Sequence, residues 1–187
     1  MDITSVTNFQ DLVSTPFVAE KNAICWARTL IGDFSEIVES LPLTSNIKEI
    51  EEEELRDLGL SDQGCLAREI LLNDLQLLKD YGASPVLNLI KNYNTDVELP
   101  FFPTDVYSFH VDRSPIPFDT FLCTYYGDVS ELLPNSQAIK KILIPEIRNE
   151  LKKLHVDTET DFESFLSEHF FDLHYMPLPN AKPINLG

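Results

Sequence analysis

Tyr107-Ser108-Phe109-His110-Val111-Asp112-Arg113 is the stretch on which the reading of this chain turns. Aromatic and β-branched residues alternate there with small and polar ones, and the pattern predicts a strand over 105–112. Side chains at i and i+2 of a strand share a face. His110 and Asp112 therefore present an imidazole and a carboxylate side by side, two of the three ligands of a 2-His-1-carboxylate metal site. The third ligand has to come from elsewhere.

Downstream, a second strand is predicted over 120–126, with Gly127-Asp128 as its turn. Pro100, Pro103, Pro115 and Pro117 punctuate this region. A helix is expected over 136–154, its apolar face made by Ile139, Ile142, Leu143, Ile147, Leu151 and Leu154, with a break or kink at Pro145. Another is expected over 161–170, with Phe162, Phe165, Leu166 and Phe170 on one side. The tail from Met176 holds Pro177, Pro179 and Pro183 and is expected to be extended.

Upstream of Pro100 the chain reads as mainly helical. Residues 1–20 are a weakly specified leader, and Ala23-Ile24-Cys25-Trp26-Ala27 suits a short buried strand. Asp33 is an N-cap candidate for a helix carrying Phe34, Ile37, Val38 and Leu41, ended by Pro42. The acidic run from Glu49 to Glu54 reads as a solvated helical face. Ser61 caps a helix with Leu66, Ile70, Leu71, Leu75 and Leu78, ended by Gly82. Ser84-Pro85 then reads as N-cap and N1 of one more helix, with Val86, Leu87, Leu89 and Ile90 buried. The expectation is one domain over 1–187, α+β in class, with a mainly helical part at 1–99 and a strand-containing part at 100–187.

Net charge is −17, so polyanionic partners are disfavoured: no nucleic acid and no anionic membrane surface. A metal cation, a small-molecule or protein substrate, or a basic protein partner suits this surface. No stretch approaches the length of a membrane span, and the N-terminus lacks the pattern of a signal peptide. Cys25, Cys65 and Cys123 are odd in number and widely spaced, as expected of free, buried thiols in a reducing compartment, the cytoplasm.

The other histidines are His155, His169 and His174. His155 ends a helix, and His169 lies in an aromatic run that suggests packing. His174 enters an extended segment, Asp172-Leu173-His174-Tyr175, and becomes the candidate third ligand if that segment pairs with the His110 strand. Arg113, beside the metal pair, and Tyr125 are the candidate substrate-binding residues. No nucleophile elbow, phosphate loop or dinucleotide turn is present, and Cys123 reads as a buried strand residue rather than a nucleophile.

Phe109-His110-Val111-Asp112-Arg113-Ser114-Pro115 followed by Asp119-Thr120-Phe121-Leu122-Cys123-Thr124-Tyr125-Tyr126-Gly127 resembles an uncharacterised bacterial family. That family is similar to the iron/2-oxoglutarate oxygenases in its His-x-Asp strand. The resemblance runs over roughly 105–187, through Ser130-Glu131, Pro134-Asn135, Ala138 and Asp172-Leu173-His174-Tyr175, with a fainter echo at Asn22–Trp26. It implies a double-stranded β-helix or cupin-like sheet, complete or incomplete, with the helical half packed outside. It implies Fe(II) held by His110 and Asp112, 2-oxoglutarate as cosubstrate, and a second His and an Arg on later strands. The sequence departs here, since neither residue type follows His174. Zinc in place of iron is a further expectation. A non-catalytic acidic binding or regulatory domain of the same fold is the alternative function.

Overall fold

A computed structural model describes residues 3–18, 21, 23–93, 95, 99–116, 118–156 and 160–186. Asn22, Pro117 and Gly187 of the sequence reading, and the ends of the 1–20 leader, lie outside the described residues. The chain is α+β. It forms two compact units, Ile3–Tyr93 with Cys123–Asp128, and Asn94–Leu122 with Val129–Gly187.

In the first unit the leader is structured. Strand β1 (Ile3–Val6) pairs in parallel with β2 (Ala23–Trp26), and helix α1 (Phe9–Ser14) lies between them in sequence. Asp33 caps α2 (Phe34–Ser40), its carboxylate accepting from the backbone of Ser35 and Glu36. Helix α3 (Glu52–Asp57) takes only Glu52–Glu54 of the acidic run, since Glu49 ends a strand and Glu51 is the N-cap, and Ser61 caps α4 (Asp62–Asp80) by accepting from Gly64 N–H. Gly32 explains how the approach to α2 passes so close to α4. A Cβ there would stand 2.5 Å from the Ala67 nitrogen, and its φ of +97° suits glycine. Ile37, Leu41, Ile50, Leu55, Ala67, Leu71 and Leu72 form the core.

The helix expected after Ser84-Pro85 does not form. Asn88–Ile90 is instead strand β4, antiparallel to β3 (Ile47–Glu49). Leu87 and Leu89 are the inward members of an alternating pattern that packs on the core, and this tertiary pairing overrides the cap signal. The expected strand over 120–126 is likewise absent, and Cys123 is exposed rather than buried.

In the second unit the helix expected over 136–154 is broken up. Short strand β5 (Glu131–Leu132) comes first, then a 3-10 turn (Asn135–Gln137), strand β6 (Ala138–Lys140), a second 3-10 turn (Lys141–Leu143) and helix α5 (Pro145–Leu154). Pro145 starts α5 at a position where its missing N–H costs nothing, so it opens a helix rather than kinking one. Helix α6 (Phe162–Glu168) follows, capped by Asp161, then a 3-10 turn (Phe171–Leu173) and strands β7 (Tyr175–Pro177) and β8 (Ile184–Asn185). β6 pairs antiparallel with β7, and β5 with β8. The core is Phe102, Ile142, Leu151, Phe165, Leu166 and Phe171. Among the described residues every named strand pairs with a single partner.

Candidate metal centre

The strand expected over 105–112 contracts to a single bridge at His110. Asp105 is the reason. Its carboxylate accepts from Tyr107 N–H at 3.1 Å and its carbonyl accepts from Ser108 N–H at 3.0 Å, so local turn bonds capture backbone that a ladder would need. The remaining bridge joins His110 to His174 in antiparallel sense. Val111 N–H donates to Leu173 O at 3.0 Å and Tyr175 N–H donates to Phe109 O at 2.8 Å. The two histidines thus occupy a non-hydrogen-bonded position, where opposed side chains lie closest on one face. Their ring centroids are 5.8 Å apart. On its other side His174 accepts at its carbonyl from Lys141 N–H at 2.9 Å, which continues the β6–β7 pairing.

Ser108 orients both rings. His110 Nδ1 lies 2.6 Å from Ser108 O. A carbonyl only accepts, so Nδ1 carries the proton and, in the neutral ring, Nε2 keeps its lone pair. The Ser108 hydroxyl donates to Asp105 O at 3.0 Å and lies 3.3 Å from His174 Nδ1. With its own proton committed, it accepts from Nδ1–H of His174, which again leaves the lone pair on Nε2. Fixing Nδ1 in this way is how proteins orient histidines that ligate through Nε2.

His174 is buried, and its imidazole is pushed down to about 4 by burial, then by the charges of Lys141 and His110. It is neutral at neutral pH, the form that ligates. Lys141 is buried too, its amine lowered by burial and partly offset by Asp105. It donates to Pro103 O at 2.8 Å and lies over the Phe102 ring, against which the His174 ring also packs. Asp112 is exposed, with Oδ1 3.5 Å from His110 Nε2.

That distance tests the site for a metal. A lone pair and a carboxylate oxygen facing each other repel unless a proton or a cation stands between them. Two ligand bonds of about 2.1 Å meeting at roughly 90–110° span about 3.0–3.5 Å. The pair fits, and two imidazoles with one carboxylate suit a divalent ion such as Fe(II) or Zn(II). Among the described residues no three His, Cys, Asp or Glu side chains form a group that could hold a metal ion. The three candidates stand as two pairs sharing His110.

Arg113 stacks its guanidinium on the Phe170 ring, 3.9 Å from the centroid. Phe170 itself sits in the left-handed region at φ +60°, a conformation that costs a bulky residue about 1–2 kcal/mol. Tyr125 belongs to the first unit. Its hydroxyl donates to Asp74 at 2.8 Å, and Asp74 also takes both arms of the Arg28 guanidinium. Burial, with Cys123 and Asp74 beside it, pushes the Tyr125 phenol far up, while Asp74 raises Arg28. His155 bonds Thr160 O and His169 bonds Phe165 O, and both pack on aromatic rings. The sequence reading missed Ser108 and Lys141. Ser108 lies two residues before His110, a spacing that offered a signal, whereas Lys141 was hidden inside an apparent helix.

Fold and site together define an α+β protein whose second unit carries an oriented histidine pair beside a carboxylate. Compared with family models, with curated proteins and with solved structures, the chain matches none.

Proposed function

We propose that the second unit is a metal-dependent, oxygenase-like domain of the Fe(II)/2-oxoglutarate kind, with His110, Asp112 and His174 as ligands. The observation that carries this reading is the cross-strand pairing of His110 with His174, with both Nδ1 atoms held by Ser108. On this reading the ladder around His174 is the metal-bearing part of a double-stranded β-helix sheet. When bound, the iron and 2-oxoglutarate supply oxidation of a substrate C–H bond by O₂. The protein's own part is threefold. Burial keeps His174 neutral, Ser108 fixes the tautomers, and Asp112 supplies the anionic ligand. The three free thiols support a reducing compartment, the cytoplasm. Among the described residues no helix is long and apolar enough to cross a membrane.

Anaerobic titration of Fe(II) into the full chain tests the proposal. Saturable binding is expected, and His110→Ala and His174→Ala each lose it. Equal and poor binding by wild type and variants would falsify the reading. Metal analysis of the protein as purified separates iron from zinc. The charge of −17 and exposed Leu122 favour a second reading, a non-catalytic domain that binds a basic protein. Pull-down of a stable partner, unchanged by Asp112→Ala, would favour it.

A further inference from the structure

Beside the histidine pair the second unit has a groove of about 520 Å³. Asp112, Arg113, Ile116, Phe118, Phe170 and Asp172 are among the residues that line it. Asp112 belongs to both features, since it also approaches His110 Nε2. Asp172 is close enough to His174 for its charge to act on that ring.

Arg113 is the unusual member. The chain has 31 acidic side chains against 14 Lys and Arg, so a guanidinium has carboxylates in excess. Arg28, Arg56 and Arg148 pair with Asp74, Glu52 and Glu163. Arg68 donates to the carbonyls of Arg56 and Leu58. Among the described residues Arg113 has only the face of Phe170. Stacking occupies the plane of a guanidinium and leaves its N–H edges available, in the planar fork that takes a carboxylate with two parallel bonds. Asp112 and Asp172 line the same groove without pairing with it. Ile116 and Phe118 add apolar surface that is 61% and 68% exposed.

We propose that this groove binds a free α-amino acid with an apolar side chain, an inference that rests on the histidine site read above. Arg113 takes the carboxylate, Asp172 takes the ammonium, and Ile116 and Phe118 cover the side chain. Charge decides among small ligands. In the metal-free groove a plain anion meets two carboxylates and the repulsion of a strongly acidic protein. A plain amine leaves Arg113 unmatched. A zwitterion satisfies both signs, and the volume lies in the range of small-molecule sites.

Calorimetric and ligand-observed NMR titrations of the metal-free full chain test this. The probes are L-leucine, L-methionine and L-phenylalanine, with leucinamide lacking the carboxylate and N-acetyl-leucine lacking the ammonium. At least one of the three amino acids binds saturably. Leucinamide, Arg113→Gln and Arg113→Lys each weaken binding by about tenfold or more, as does N-acetylation or Asp172→Asn. Circular dichroism confirms that the variants fold, and Arg113→Lys keeps the charge while removing the fork. Absence of binding by all three amino acids overturns the proposal, and so does affinity indifferent to Arg113. Fe(II) titrated separately into wild type and His110→Ala reports on the histidine site alone. Arg113-dependent leucine binding without Fe(II) binding supports the groove and removes the metal reading. Fe(II) binding without leucine binding does the reverse.

Discussion

Each unit contains a polar cluster, and the two are completed to different degrees. In the first, Asp74 is buried on α4 and takes two bonds from Arg28 and one from Tyr125. Donors and acceptor face one another and the cluster is closed, so its work is structural. In the second, His110 and His174 are each held at Nδ1 by Ser108, and Nε2 is left as a lone-pair donor. The difference teaches how to separate a structural polar cluster from a chemical one. Both contain perturbed titratable groups, and only the second leaves electron pairs for an outside partner.

Breaking the closed cluster has the largest expected effect. Asp74→Ala leaves Arg28 and Tyr125 without their acceptor and destabilises the first unit by about 3–5 kcal/mol. Urea unfolding followed by Trp26 fluorescence measures this, since Trp26 belongs to the same unit. A loss below about 1 kcal/mol would show that the cluster contributes little.

The open cluster gives a pH signature of nearly the same size. His174 titrates near 4 in the folded protein against an ordinary 6.5, because its buried ring resists charge. The unfolded chain therefore takes up the proton first as pH falls. The stability from a neutral His174 is complete above about 6.5 and is lost between 6.5 and 4, to a total of about 3 kcal/mol in metal-free protein. Hydrogen exchange at the Lys141 and Tyr175 amides reads the opening of this ladder. His174→Asn flattens the dependence, and a wild-type profile flat over that window would rule the account out.

Ser108→Ala sharpens the comparison with the smallest change in stability. It removes the hydroxyl that holds His174 and keeps the carbonyl that holds His110. Stability falls by about 1 kcal/mol, while Fe(II) affinity falls roughly 10–100-fold through loss of ring orientation. Metal titration beside thermal unfolding separates the two effects, and unchanged affinity would relegate Ser108 to packing.

Local chemistry was the readable part of the sequence. Asp33 and Ser61 announce their helices because a cap is decided within a few residues, and the apolar spacing from Leu66 to Leu78 needs no partner to be recognised. Ala23–Trp26 was legible as a strand, though not its pairing with Ile3–Val6. Where partners decide, local reading fails. Ile139 and Ile142 have helical spacing, yet β7 draws 138–140 into a ladder. At the site, the His-x-Asp spacing marks one pair, whereas the link between 110 and 174 depends on a strand pairing that neither segment announces alone. Tyr125 is a substrate-binding candidate in the sequence, and the fold packs it on the first unit's core. Nothing within its own segment announces Asp74.

The return of Cys123–Asp128 to the first unit sets an order on biosynthesis. A chain leaving the ribosome presents Arg28 and Asp74 long before Tyr125 is made. Helix α4 and its ion pair can assemble early, yet the aromatic ring that completes the unit arrives only after all of the second unit's first segment has been made. Cutting the gene at Tyr93 would yield a fragment that never receives it.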